Sequence, residues 1–127
     1  MGLQSLVYLV DDDSDGRAFM ADGLQELGLN NIEHFINGEQ VIKALKDAVA
    51  MPDLIFLNVC IPLIDGFGVM SFVEGLPKAK STKLCLMCSS KPEWLSDLTF
   101  KHHFIEKSDV LSVREQIQET AKHLLSL

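Results

Sequence analysis

Short apolar runs alternate with amphipathic stretches from one end of this chain to the other, and that rhythm restricts the fold more than any single residue does. Leu6-Val7-Tyr8-Leu9-Val10 is apolar without a break, which predicts a strand buried on both faces. A helix follows, with Ser14 as N-cap and an end near Leu27 at Gly28; it places Phe19, Met20, Leu24 and Leu27 on one face. Residues 32–36 predict a second strand, Asn37-Gly38 a turn, and residues 39–50 a second helix with Val41, Ile42 and Leu45 inward. Pro52 opens a third strand over 54–57, and a third helix covers roughly 66–75. Residues 84–88 predict a fourth strand. A short fourth helix starts near Pro92 and carries Trp94, Leu95 and Leu98. Residues 103–106 form a brief fifth strand, and residues 110–125 a last helix with Val113, Ile117, Ala121, Leu124 and Leu125 facing in.

Five such strand–helix units with short links imply an α/β domain: one parallel sheet with helices on both sides, over residues 1–127. The expected architecture is a doubly wound, flavodoxin-like (βα)5 sandwich with strand order 2-1-3-4-5. In that arrangement ligands bind at the carboxyl ends of the strands.

Those ends carry a specific set of residues. Asp11, Asp12 and Asp13 follow the first strand, Asn58 the third, Cys88, Ser89 and Ser90 the fourth, and Lys107 the fifth. Clustered carboxylates repel one another, and a hard cation such as Mg²⁺ relieves the repulsion through carboxylate, carbonyl and water oxygens. Lys107 adds a point charge able to hold those carboxylates or a phosphoryl oxygen. Taken singly, each feature has a blander reading: an Asp run caps a helix, a lone Lys is solvated, a Ser pair starts a helix. Their convergence on one sheet edge is what carries meaning.

Composition narrows the partners. A formal net charge of -7 argues against nucleic acid and against anionic membrane surfaces. No apolar run is long enough to span a bilayer, and the first one is cut short by three aspartates, so no signal peptide is expected and a cytoplasmic location is. Cys60, Cys85 and Cys88 do not form a disulfide framework and read as reduced core thiols, with Cys85 and Cys88 on opposite faces of one strand. Met51, Met70 and Met87 read as core filling, His102 and His103 as surface residues, and Trp94 as packing on a neighbouring helix.

The stretch Val10-Asp11-Asp12-Asp13-Ser14-Asp15-Gly16-Arg17 resembles the acidic motif of response-regulator receiver domains of two-component phosphorelay signalling. Ile61-Pro62-Leu63-Ile64-Asp65-Gly66 is similar to the family's loop after the phosphoacceptor, Phe35-Ile36-Asn37-Gly38 to its turn before the second helix, and Phe104-Ile105-Glu106-Lys107 to the end of its fifth strand. The resemblance covers nearly the whole chain. It implies Asp11, Asp12, Asn58 and the carbonyl of Cys60 as the Mg²⁺ positions, Phe104 as the rotating aromatic and Lys107 as the phosphoryl-contacting lysine. It also implies a histidine kinase or other signalling protein upstream, an effector protein downstream, and a homodimer through the fourth and last helices.

Several departures qualify that likeness. Asn58 stands where the family has its phosphoacceptor aspartate, and a carboxamide oxygen bears no full charge with which to attack phosphorus. Cys88 stands at the Thr or Ser position, unless a one-residue shift brings Ser89 there. Ser108 replaces a proline, and the segment from Cys88 to Phe104 is short for the family, which predicts a truncated or irregular fourth helix. The expectation is a degenerate receiver: no enzyme, weakened for Mg²⁺ by Asn58, and working as a phosphorylation-independent interaction module. The alternatives are a conventional phospho-switch with its acceptor blocked, and a metal-dependent phosphatase on the same fold. Against the phosphatase, Asp13 is followed directly by Ser14 and Asp15, so no matching loop accompanies the acids.

Overall fold

The computed structural model describes residues 4–90, 92–93, 95, 100–107 and 110–127. Its elements run β1 (Val7–Val10), α1 (Ser14–Glu26), β2 (Ile32–Phe35), α2 (Gly38–Asp47), β3 (Leu54–Asn58), α3 (Gly66–Glu74), a 3-10 turn (Pro77–Ala79), β4 (Lys83–Cys88), β5 (His103–Glu106) and α4 (Val110–Leu125). The five strands are parallel in the order β2-β1-β3-β4-β5. This is the predicted doubly wound arrangement.

The central strands β1, β3 and β4 are apolar because both of their faces are covered. Alternate residues feed two cores. Val7, Leu9, Leu54, Phe56, Cys85 and Met87 pack under α1 and α4, against Met20, Leu24, Ile117 and Leu125. Tyr8, Val10, Ile55, Leu57, Leu84 and Leu86 pack under α2 and α3, against Val41, Leu45, Val69 and Val73. Cys85 and Cys88 fall on opposite faces as expected: Cys85 lies in the first core and Cys88 packs beside the second. Met87 is fully buried, while Met51 and Met70 pack half-buried against the second core.

Several local expectations change. The cap of α1 is Asp13, not Ser14: the Asp13 carboxylate accepts from the Asp15 N–H at 3.2 Å, and Ser14 becomes the first helical residue. A carboxylate at that position satisfies a free N–H and also meets the positive end of the helix dipole. Phe19 leaves the core face and lies half-buried under the Arg114 guanidinium, 5.8 Å from its ring centroid. That guanidinium also bonds Asp22 at 2.8 Å and Glu26, clamping α4 to α1. His102 is no free surface residue; its Nε2 is 2.8 Å from Glu74 and its ring meets Phe100 edge-on. Trp94, Leu98 and Ser108, and most of the expected fourth helix, lie outside the described residues.

Two glycines set how closely the loops at the carboxyl edge approach. A Cβ on Gly38 would sit 2.0 Å from the Ile64 carbonyl oxygen, and one on Gly66 would sit 2.7 Å from the Val59 Cα. No side chain fits at either place, so the start of α2 can rest directly on the loop that follows β3. Among the described residues, no helix is long and apolar enough to cross a membrane.

Candidate functional site

The strand order brings the ends of β1, β3, β4 and β5 to one edge, and the residues singled out there do meet. Asp11 is the centre. It is 2% exposed, one of the few buried polar groups, and its carboxylate is well supplied with donors. Oδ1 accepts from the Asp13 N–H at 3.0 Å and from Asn58 Nδ2 at 3.3 Å. Oδ2 accepts from Lys107 Nζ at 3.3 Å. A buried carboxylate is tolerated only when paired and hydrogen-bonded, and Asp11 satisfies both conditions.

The backbone does the positioning. The Asp11 N–H bonds the Phe35 carbonyl at 3.1 Å, which fixes the first residue beyond β1. Asn58 is the last residue of β3, in register with Met87, and the next N–H, that of Val59, bonds the Met87 carbonyl at 2.8 Å. The Lys107 N–H bonds the Cys88 carbonyl at 2.8 Å, so the end of β4 holds the lysine in place. Its side chain then reaches Asp11 across the sheet edge.

A carboxylate without a proton only accepts hydrogen bonds, so Asn58 presents its NH2 to Asp11. An aspartate at that place would face Asp11 with a second negative charge. The carboxamide therefore replaces a repulsion with a hydrogen bond and leaves its own oxygen for another donor or a cation.

The other predicted residues sit around this centre. Asp12 is exposed, Cys60 is exposed, Cys88 is half-buried and Ser89 is exposed. Phe104 is half-buried, paired with Leu86 in register and edge-on to Phe100 with ring centroids 6.3 Å apart. Cys60 corrects the expectation of three core thiols, because it is exposed. Burial, then the adjacent Cys88 thiol and Asp65, push the Cys60 thiol above its ordinary pKa, and Lys107 acts in the opposite sense. Cys85, sealed in the other core, is pushed up to about 12 by burial and is chemically silent.

Sequence reasoning missed Arg17 and Leu63. Arg17 Nη1 reaches back along α1 to the Asp11 carbonyl at 2.6 Å, adding a second cation beside the acidic cluster. An arginine six residues after an aspartate leaves no sequence mark of such a contact. Leu63 has φ 71°, and the Ile64 N–H bonds the Pro62 carbonyl at 2.9 Å. That is a strained three-residue turn, and it leaves the Leu63 side chain 71% exposed at the rim of the site.

The donors that the resemblance would offer a cation are hard oxygens: Asp11 and Asp12 carboxylates, the Asn58 amide oxygen and the Cys60 carbonyl. That chemistry fits Mg²⁺, with one anionic donor fewer than an aspartate at 58 would give. Among the described residues no three His, Cys, Asp or Glu side chains gather around one point, so such an ion would depend on the neutral oxygens.

The family model for the response regulator receiver domain matches residues 7–96, the stretch that holds β1 to β4 and both acidic positions. The chain belongs to the response regulator receiver domain family. Part of it, 84 residues, is 31% identical to the sensor histidine kinase CheAY of Helicobacter pylori. The matched part is 66% of this chain but only 10% of that kinase. The fold is also that of the phosphorylated cyanobacterial phytochrome response regulator RcpA, with a TM-score of 0.84 at 17% identity over 97% of this chain and 95% of that one. The Mn²⁺-bound response regulator Rcp1 aligns with a TM-score of 0.78 at 15% identity, over 93% and 92% of the two chains. This receiver domain is thus a module of two-component signalling, a class that acts generally by conformational signalling and commonly binds Mg²⁺.

Proposed function

We propose that this receiver domain is degenerate: it takes no phosphoryl group at its acceptor position and acts as a phosphorylation-independent interaction module, without enzymatic activity of its own. The observation that carries the reading is Asn58, whose NH2 is directed at Asp11 Oδ1, 3.3 Å away. A receiver needs a charged oxygen at that point to attack phosphorus, and an amide supplies none. The Asn58 and Lys107 contacts to Asp11 also support one fixed state of the strand ends, since the charges that phosphorylation would rearrange are already paired.

In this reading Asp11, Asp12, Asn58 and the Cys60 carbonyl are the remnant Mg²⁺ positions, with affinity reduced by the lost charge. Cys88 occupies the place of the phosphoryl-contacting hydroxyl, supported by its position as the last residue of β4. Ser89, one residue further on and exposed, is the poorer fit. Phe104 and Lys107 are the switch residues of the output face. That face would meet a histidine kinase or another signalling protein, a downstream effector, or a second copy of the chain through the region ahead of β5 and α4. The domain would cover residues 1–127 and act in the cytoplasm.

The test is to incubate the protein with Mg²⁺ and a small phosphodonor and weigh it intact. No phosphoryl adduct is expected. An adduct on the chain as written would refute the proposal, and turnover of a phosphate ester would identify an enzyme instead.

A further inference from the structure

His103 and His123 have no part in the reading above. His103 opens β5 and pairs in register with Cys85, so its side chain shares the face of Ile105, under α1 and α4. His123 stands in the last turn of α4, between Ala121 and Leu125, which pack in the same core as Ile105. The two elements thereby bring the imidazoles together: the ring centroids are 5.5 Å apart and the planes are tilted by 41°. Both residues are exposed, whereas His102 has its Nε2 engaged by Glu74. His103 begins the strand that Lys107 follows, about 13 Å away along extended backbone, so the pair lies toward the opposite end of β5 from the acids.

We propose that His103 and His123 together chelate one divalent ion of the zinc, copper and nickel class, through one imidazole nitrogen each. Imidazole suits those ions, while carboxylate and carbonyl oxygens suit Mg²⁺. With Zn–N bonds of about 2.0–2.1 Å, each ring centre lies roughly 3.2 Å from a tetrahedral ion and the two centres lie roughly 5 Å from each other. The observed 5.5 Å meets that requirement after a small ring rotation. A ligating histidine must be neutral. Burial first, and then His123, hold the His103 pKa below its ordinary value, which favours the neutral ring.

Glu119, one turn before His123 on α4, is paired with Lys122 at 3.6 Å. Among the described residues no third His, Cys, Asp or Glu joins the pair, so water would fill the remaining positions. The ion would tie the last turn of α4 to the start of β5, which is an edge strand of the sheet. The inference does not depend on whether Asn58 prevents phosphorylation, because it uses none of the residues at the carboxyl edge.

The experiment titrates Zn²⁺ into the untagged full chain in excess Mg²⁺, which competes for any site built from oxygen donors. It follows the heat of binding and the histidine ring resonances by NMR. One Zn²⁺ per chain is expected, with the His103 and His123 ring signals moving together at one midpoint while those of His34 and His102 stay in place. Loss of a group that merely supports a metal ligand weakens a site about 10–100-fold, so removing one of two ligands, in His103→Gln or His123→Gln, should cost at least about tenfold in affinity. His34→Gln should bind as the wild type does. The proposal is overturned if Zn²⁺ leaves either ring of the pair unmoved, or if either His103→Gln or His123→Gln binds as tightly as the wild type. It is equally overturned if one ion is shared between two chains. The ring signals of the wild type decide the matter even if a variant fails to fold.

Discussion

Replacing Asn58 with aspartate tests the electrostatics of the site most directly. In the folded protein Asn58 Nδ2 stands 3.3 Å from Asp11 Oδ1. With Asn58→Asp a second negative oxygen takes that place. Two unit charges at this separation repel by about 1 to 5 kcal/mol as the effective dielectric falls from that of water to that of a protein surface. Asn58 is half-buried, and Lys107, 3.3 Å from the other Asp11 oxygen, can swing to share its charge between the two carboxylates. Those two effects pull the expected cost toward ~2 kcal/mol, with the lost hydrogen bond included.

For a domain of this size that cost lowers the melting midpoint by roughly 5–10 °C in chelator. Mg²⁺ should then do more for Asn58→Asp than for the wild type, because a third carboxylate strengthens the site. A free concentration of about 100 times Kd recovers about 2.7 kcal/mol. The assay is thermal or urea unfolding of both proteins, with and without Mg²⁺. If Asn58→Asp is as stable as the wild type in chelator, the amide is not relieving repulsion at Asp11 and the electrostatic argument fails. Adding a small phosphodonor to Asn58→Asp in Mg²⁺ should give one phosphoryl adduct by intact mass. Its absence would mean that Cys88 or the surrounding loop also disables the site.

Three further outcomes follow from the geometry. Lys107→Met strands the buried Asp11 carboxylate without its cation and should lower the unfolding free energy by ~1–3 kcal/mol in urea titration, an effect absent if Arg17 alone neutralises the cluster. Gly38→Ala pushes a methyl group into the Ile64 carbonyl, 2.0 Å away, and should lose ~2 kcal/mol or more; an unchanged urea midpoint would show that α2 does not rest on that loop. Acidification should weaken the fold through His34 and His103, whose pKa values are held low, first by burial and then by Arg17 and His123 respectively. Because their folded pKa values lie below the unfolded value of about 6.5, the unfolded chain binds more protons between the two. Stability therefore falls as pH drops through about 6.5 and levels off below the folded pKa. Urea midpoints that stay flat or rise between about pH 8 and about pH 5 would contradict this.

The alternation of apolar runs and helical patterns, read directly from the chain, determined a parallel sheet of five strands with helices on both sides, because a central strand covered on both faces must be apolar throughout; the order 2-1-3-4-5 is the one expected of that doubly wound architecture. Strand ends are short-range features as well, so Asp11, Asn58, Cys88 and Lys107 were legible as a set before any contact was known. What each does to its neighbours was not. Only packing decided that Asp13 rather than Ser14 caps α1, since both residues suit a cap and the choice depends on where the chain leaves β1. Only packing put His102 on Glu74, Phe19 under Arg114 and the Arg17 guanidinium on the Asp11 carbonyl, contacts between residues whose order along the chain gives no hint of them. The same holds for Asn58 and Met87, far apart in sequence and brought side by side only by the pairing of β3 with β4. Local pattern sets which surface of each element is apolar, while side-chain chemistry at a distance is fixed by where those surfaces come to rest against one another.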